Sequence, residues 1–97
     1  MDEKLLSLAK ECLSIISTST AKDNEIKLLI CSAIEDMERL DIDVEKNSDN
    51  KLIIEAIMMY VKGNFGNTDT KEKELCQKSY SLFLSTIAST KKYLKGN

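Results

Sequence analysis

The chain holds 97 residues, 42% hydrophobic and 31% charged, a composition that suits one globular domain and excludes collagen-like repeats and wholesale disorder. Fourteen Lys and Arg against sixteen Asp and Glu leave a net charge of −2, which argues against holding nucleic acid by bulk electrostatics. With no His, a Ser-His-Asp triad, a Cys-His dyad and any imidazole metal site are excluded within the chain.

The absence of Pro, only three Gly, and an abundance of Leu, Ile, Lys, Glu, Ala and Ser predict helices. A first helix is expected over residues 3–16. Leu5, Leu8, Ala9, Cys12, Leu13 and Ile16 recur at steps of three and four on one face. Ser17 to Thr20 form a connection, because their side chains compete for backbone hydrogen bonds. The second helix is expected over 24–40, capped by Asp23, with a stripe of Ile26, Leu29, Ile30, Ala33, Ile34, Met37 and Leu40. In the acidic loop 41–50, Ile42 and Val44 alternate with acids, as in a short extended or hairpin-like piece.

The third helix is expected over 50–62, with Asp49 as its cap. Leu52, Ile53, Ala56, Ile57, Tyr60 and Val61 point inward, and Ile54, Met58 and Met59 make other faces apolar too. Such a helix is central or sits at an interface. Gly63 is expected to end it in a left-handed conformation. After the loop GNFGNTD, Asp69 and Glu72 read as a capping pair for a fourth helix over 70–94. That helix carries Leu75, Cys76, Ser79, Tyr80, Leu82, Phe83, Ile87 and Leu94, and ends in Lys91, Lys92 and Lys95, which suit the negative end of its dipole. The fold class is all-α: a single domain, a small bundle of about four helices. No apolar run reaches the roughly 20 residues of a membrane span, and the acidic opening is unlike a secretory signal. Cys12, Cys31 and Cys76, widely spaced, are expected as small buried hydrophobes in a reducing compartment.

Two carboxylate patterns could carry chemistry. Counted from Asp41, a calcium loop would need Gly at position six and Glu at position twelve. Lys46 and Leu52 stand there, so a solvated loop is the better reading. Glu35, Glu38 and Asp41 share a helix face, as in all-α magnesium-dependent nucleoside triphosphate pyrophosphatases, but Glu55 has no acid three residues away to complete a facing pair. That enzyme is an alternative, as is a small helical protein-protein adaptor. The expectation is a protein that is not an enzyme and uses no metal or cofactor.

The stretch from Leu52 to Ile87 carries A-I-x-x-Y-V-K-x-x-F-G at the end of one helix, a short acidic loop, and Q-K-S-Y in the next. Upstream stands D-x-E-I-x-x-L-I-x-x-A-I-x-D-M, from Asp23 to Met37. Together these resemble the head-tail connector (adaptor, head-completion) proteins of tailed phages and prophages. The resemblance covers most of residues 23–87, and residues before Asp23 match less clearly. It implies a non-enzymatic virion protein, made in the bacterial cytoplasm. It also implies a ring of about twelve copies, each using two different patches in a head-to-tail contact. The ring would dock under the portal protein after DNA packaging, extend the DNA channel and meet a tail-completion or stopper protein. Neither a membrane nor sequence-specific DNA binding is implied. Tyr60, Val61, Lys62, Phe65, Gly66 and Tyr80 match the family pattern. Met58, Met59, Tyr60, Phe65, Tyr80, Lys91, Lys92 and Lys95 become the interface candidates. Glu35, Glu38, Asp41, Asp43 and Glu45 become candidates for a phosphate-repelling channel lining.

Overall fold

The computed structural model describes residues 2–96. Four α-helices, α1 (Asp2–Cys12), α2 (Asp23–Arg39), α3 (Lys51–Asn64) and α4 (Thr70–Ala88), are followed by one 3-10 turn, Lys91–Tyr93. The all-α bundle expected from the apolar periodicity is what forms. α3 is its centre: Ile53, Ala56, Ile57, Met58 and Val61 are buried, and α1, α2 and α4 all pack on it. Its N-cap is Asn50, whose Oδ1 accepts the amides of Leu52 at 2.9 Å and Ile53 at 3.4 Å. The expected cap, Asp49, stands one residue too early. Asp69 caps α4 as expected, with Oδ2 accepting the amide of Glu72.

Gly63 is not a terminator. It lies inside α3, and its lack of a side chain lets α4 come close, since a Cβ there would stand 3.1 Å from the Gln77 Cγ and 3.3 Å from the Gln77 amide nitrogen. Gln77 in turn donates its side-chain amide to the Gly63 carbonyl at 2.8 Å, satisfying one orphan acceptor at the helix end.

α1 and α2 both end through a residue in the left-handed conformation. α1 stops at Cys12, not Ile16. Ser14 adopts φ +58°, and the Ile15 and Ser14 amides donate to the carbonyls of Lys10 and Glu11. This is the Schellman pattern with serine where glycine is usual. It turns Ile16 out to 73% exposure. α2 closes the same way: Asp41 has φ +63°, and Ile42 and Asp41 donate to Met37 and Glu38. The expected cap of α2 is also different. Asp23 begins the helix without capping it, and its carboxylate turns to Lys10.

α4 ends at Ala88 instead of continuing to Leu94. Thr86, Ser89 and Thr90 spend their hydroxyls on the carbonyls of Leu82 and Thr86, the competition that weakens a helix end. The chain then folds back on the acidic loop. Asp43 donates to the Tyr93 carbonyl and Lys95 to the Asp41 carbonyl, both at 2.7 Å, making an antiparallel bridge between Ile42 and Leu94. Ile42, Val44 and Tyr93 are buried by it. The extended character expected of Ile42 is present, but its partner is the C-terminal tail. Cys76 is buried and Cys12 half-buried, whereas Cys31, expected inside, is exposed on α2.

Candidate assembly surface

The apolar residues expected as spare interface are largely consumed by the subunit itself. Met58, Phe65 and Tyr80 are buried, and Met59 and Tyr60 are half-buried against the core. The rings of Tyr60 and Tyr80 meet edge to face, 5.1 Å apart, joining α3 to α4. The Tyr80 hydroxyl donates to Asp36 Oδ2 at 2.6 Å, and Arg39 holds the other oxygen of that carboxylate at 3.2 Å. Burial, and next the hydrogen bond to Asp36, push the Tyr80 phenol well above its ordinary value. These family-pattern tyrosines therefore bind α2, α3 and α4 together.

The charged candidates are at the surface. Glu35, Glu38, Asp41, Glu45, Lys91, Lys92 and Lys95 are exposed, and Asp43 is half-buried. The backbone bridge brings Tyr93 and Lys95 beside Asp43 and Asp41. The acidic loop with Asp41, Asp43 and Glu45, which also carries Lys46, is thus joined to the tail with Lys91, Lys92 and Lys95, so charges of both signs meet at this corner. The lysines do not complete a helix dipole, because they follow the end of α4. Lys92 instead sits 5.2 Å from the centre of the Tyr93 ring.

Periodicity alone did not mark the exposed apolar residues. Leu28 on α2 is 68% exposed, and Leu75 and Leu82 on α4 are 60% and 71% exposed. Leu75 and Leu82 are two turns apart on one face, off the line of Cys76, Tyr80 and Ile87 that faces α3. That offset is the sequence signal by which they could have been found. A shallow groove of about 330 Å³ runs between α1 and α2, lined by Glu3, Leu6, Lys27, Ile30 and Cys31.

A second cleft, about 480 Å³, lies between the α1–α2 and α3–α4 connections and includes Cys12, Ser14, Lys22, Phe65 and Asp69. On its wall Lys62 pairs with Glu72 at 2.8 Å, and that hydrogen bond raises the Lys62 pKa. Burial pushes the nearby Cys76 thiol up, away from the thiolate a nucleophile needs. Among the described residues no group of three or more Cys, Asp or Glu converges as metal ligands would, and no helix is long and apolar enough to cross a membrane.

No curated protein and no solved structure matches the chain. The family model described as phage connector protein matches residues 5–94, nearly the whole length, with all of α2, α3 and α4 and most of α1. A match of that extent places the chain in the phage connector proteins, a family of structural components of phage particles.

Proposed function

We propose that this chain is the subunit of a connector ring. The ring docks beneath the portal, extends the DNA channel and joins head to tail by offering its far side to a tail-completion protein. The observation that carries the reading is the family match over residues 5–94. The surface is consistent with it. A head-to-tail ring needs two different patches on each subunit, and the exposed leucines lie on two different helices, Leu28 on α2 and Leu75 and Leu82 on α4. The mixed-charge corner of Asp41, Glu45, Lys91, Lys92 and Lys95 is the portal-facing end in this proposal. Its folded backbone holds charges of both signs in a fixed pattern, which suits recognition of another protein. A net charge of −2 suits a conduit through which DNA passes without being held.

The test is to mix the purified protein with the portal oligomer encoded in the same genome and image the particles by electron microscopy. A ring of added density under the portal is expected. No binding at high protein concentration, with a portal competent to package DNA, would overturn the proposal. In a parallel assay, nucleoside triphosphates with magnesium are expected to remain unhydrolysed, and magnesium-dependent release of pyrophosphate would revive the enzyme alternative.

A further inference from the structure

We infer that the C-terminal tail is exchanged between copies: in the ring, residues 91–95 of one subunit leave their own acidic loop and pair with residues 41–43 of the next. The inference rests on the ring reading above and names the segment that joins its copies. In its own subunit the tail is held through two backbone hydrogen bonds at the bridge, the buried Tyr93 ring and the packing of Leu94. Its attachment to α4 is a hinge. From residue 67 to residue 95 there is no Gly or Pro, so no backbone breaker forces α4 to stop at Ala88. The apolar steps run on from Ile87 to Leu94, two turns further on the same face. Ser89, at φ −91° and ψ 0°, stays beside the helical region, and Thr90, at φ −108° and ψ 107°, leaves it before the 3-10 turn. A rotation at Thr90 would continue the helix.

Geometry decides where a released tail can go. Leu40 and Ala88 line one small groove, so the end of α2 lies alongside the last turns of α4, and the tail reaches residues 41–43 by turning back at Thr90. With α4 continued through Leu94, the tail would run about 9 Å past Ala88, away from its own loop. That loop would be left with the Asp43 amide and the Asp41 carbonyl unpaired, and with Ile42 uncovered. The same tail from another copy fits those groups, as the closed subunit demonstrates. Exchange reuses the contacts of the closed subunit. It therefore needs no spare apolar surface, in a molecule that buries Met58, Phe65 and Tyr80 in its own core. Each copy gives one tail and receives one, so the contact is directional, as a ring requires.

The experiment uses the pair at the bridge. Ile42 and Leu94 stand opposite each other without bonding directly, the hydrogen bonds running from Asp43 to Tyr93 and from Lys95 to Asp41. Such pairs are about 4.5 Å apart at Cα, within the span of a disulfide. Ile42→Cys and Leu94→Cys are made on separate chains, mixed in equal amounts, assembled on the portal and treated with oxidised glutathione. Disulfides are then mapped by mass spectrometry. About half of the chains are expected to carry a 42–94 disulfide to another chain, because random neighbours supply the partner thiol half the time, and almost none before assembly. Both substitutions on one chain are expected to lock the tail when oxidised and abolish the ring, and to restore it on reduction. Ser89→Ala with Thr90→Ala favours the continued helix, and is expected to lower the protein concentration for half-assembly by about fivefold. If Ile42→Cys loses its helical circular dichroism, this alanine pair decides alone, and an unchanged concentration overturns the exchange. If wild type forms a ring but the mixture gives no disulfide between chains, or the locked chain assembles as well as the reduced one, the exchange is overturned and the ring stands. If wild type forms no ring on the portal, the functional reading is overturned and the exchange with it.

Discussion

Lys10 places a cation in the interior of the bundle. Its side chain is only 8% exposed, and its ammonium reaches Asp23 Oδ1 at 2.7 Å, the Ser19 carbonyl at 2.8 Å and the Ser17 carbonyl at 3.3 Å. Three donors meet three acceptors, so the α1–α2 connection is wrapped around the charge that it satisfies. Removing one partner strands the other. Lys10→Met is expected to lower the unfolding free energy by about 3 to 5 kcal/mol, while Lys10→Met with Asp23→Leu recovers part of the loss, as read by urea denaturation. Equal stability of wild type and single variant would show that the pair contributes nothing. Tyr80 supplies a pH dependence. Its folded pKa is raised above the ordinary 10, so its share of stability is complete below pH 10 and is lost as pH rises above that value. Lys62 is raised as well and acts in the same direction. Stability measured between pH 8 and 11 is therefore expected to fall toward the alkaline end, with a shallower fall in Tyr80→Phe. An identical slope in the variant would remove Tyr80 from the account.

At the scale of the element, the helix ends are the informative part. α1 and α2 both close through a left-handed residue that is not glycine, Ser14 and Asp41, followed by an isoleucine, Ile15 and Ile42. Left-handed backbone costs a residue with a Cβ on the order of 1 kcal/mol. Ser14→Gly is therefore expected to raise the unfolding free energy by about 0.5 to 1 kcal/mol, visible as a higher urea midpoint with unchanged slope. A lower midpoint would mean that the serine side chain does something the backbone geometry does not reveal. Asp41→Gly should act in the same direction, and it also removes an anion from the negative end of α2. The apolar steps of α1 ran on past Ser14 to Ile16, so periodicity overran the true end. In α3 the reverse holds: every inward position predicted from the spacing lies in or against the core, because that helix is enclosed by three others and has little freedom in which face it buries.

At the scale of the molecule, the chain folds into a slab of 39 × 28 × 19 Å, fastened at one corner by its C-terminal tail. In the sequence the tail reads as the basic end of a fourth helix over 70–94. In the fold it is a structural strap, because Tyr93 is buried and the backbone of residues 93–95 pairs with residues 41–43. Deleting residues 91–97 therefore tests stability and docking at once. The cleaner test is Lys91→Glu, Lys92→Glu and Lys95→Glu together. The charge-reversed protein is expected to keep its melting temperature within about 2 °C, since exposed charges contribute little to folding, and to lose portal attachment in a pull-down. Unchanged attachment would take the lysine corner out of the docking surface. The deletion, in contrast, is expected to lower the melting temperature through loss of the buried Tyr93 ring.

Composition and apolar periodicity by themselves determined the helix count and the many-sided apolar character of α3, the Asp-x-x-Glu spacing gave the Asp69 cap, and the resemblance of the motifs from Asp23 to Ile87 gave the family, since each depends on residues close in the chain or on an ordered pattern along it. Only the tertiary structure decided which surface is left over. Met58, Phe65 and Tyr80 are apolar wherever they stand, but whether such a side chain faces a neighbour or the subunit's own core depends on how helices distant in sequence pack. The same holds for Lys10, whose burial depends on carbonyls seven and nine residues away, and for residues 41–43, whose backbone is paired by the C-terminal tail some fifty residues further on. Local pattern sets which elements form. The sum of long-range contacts sets what those elements leave exposed.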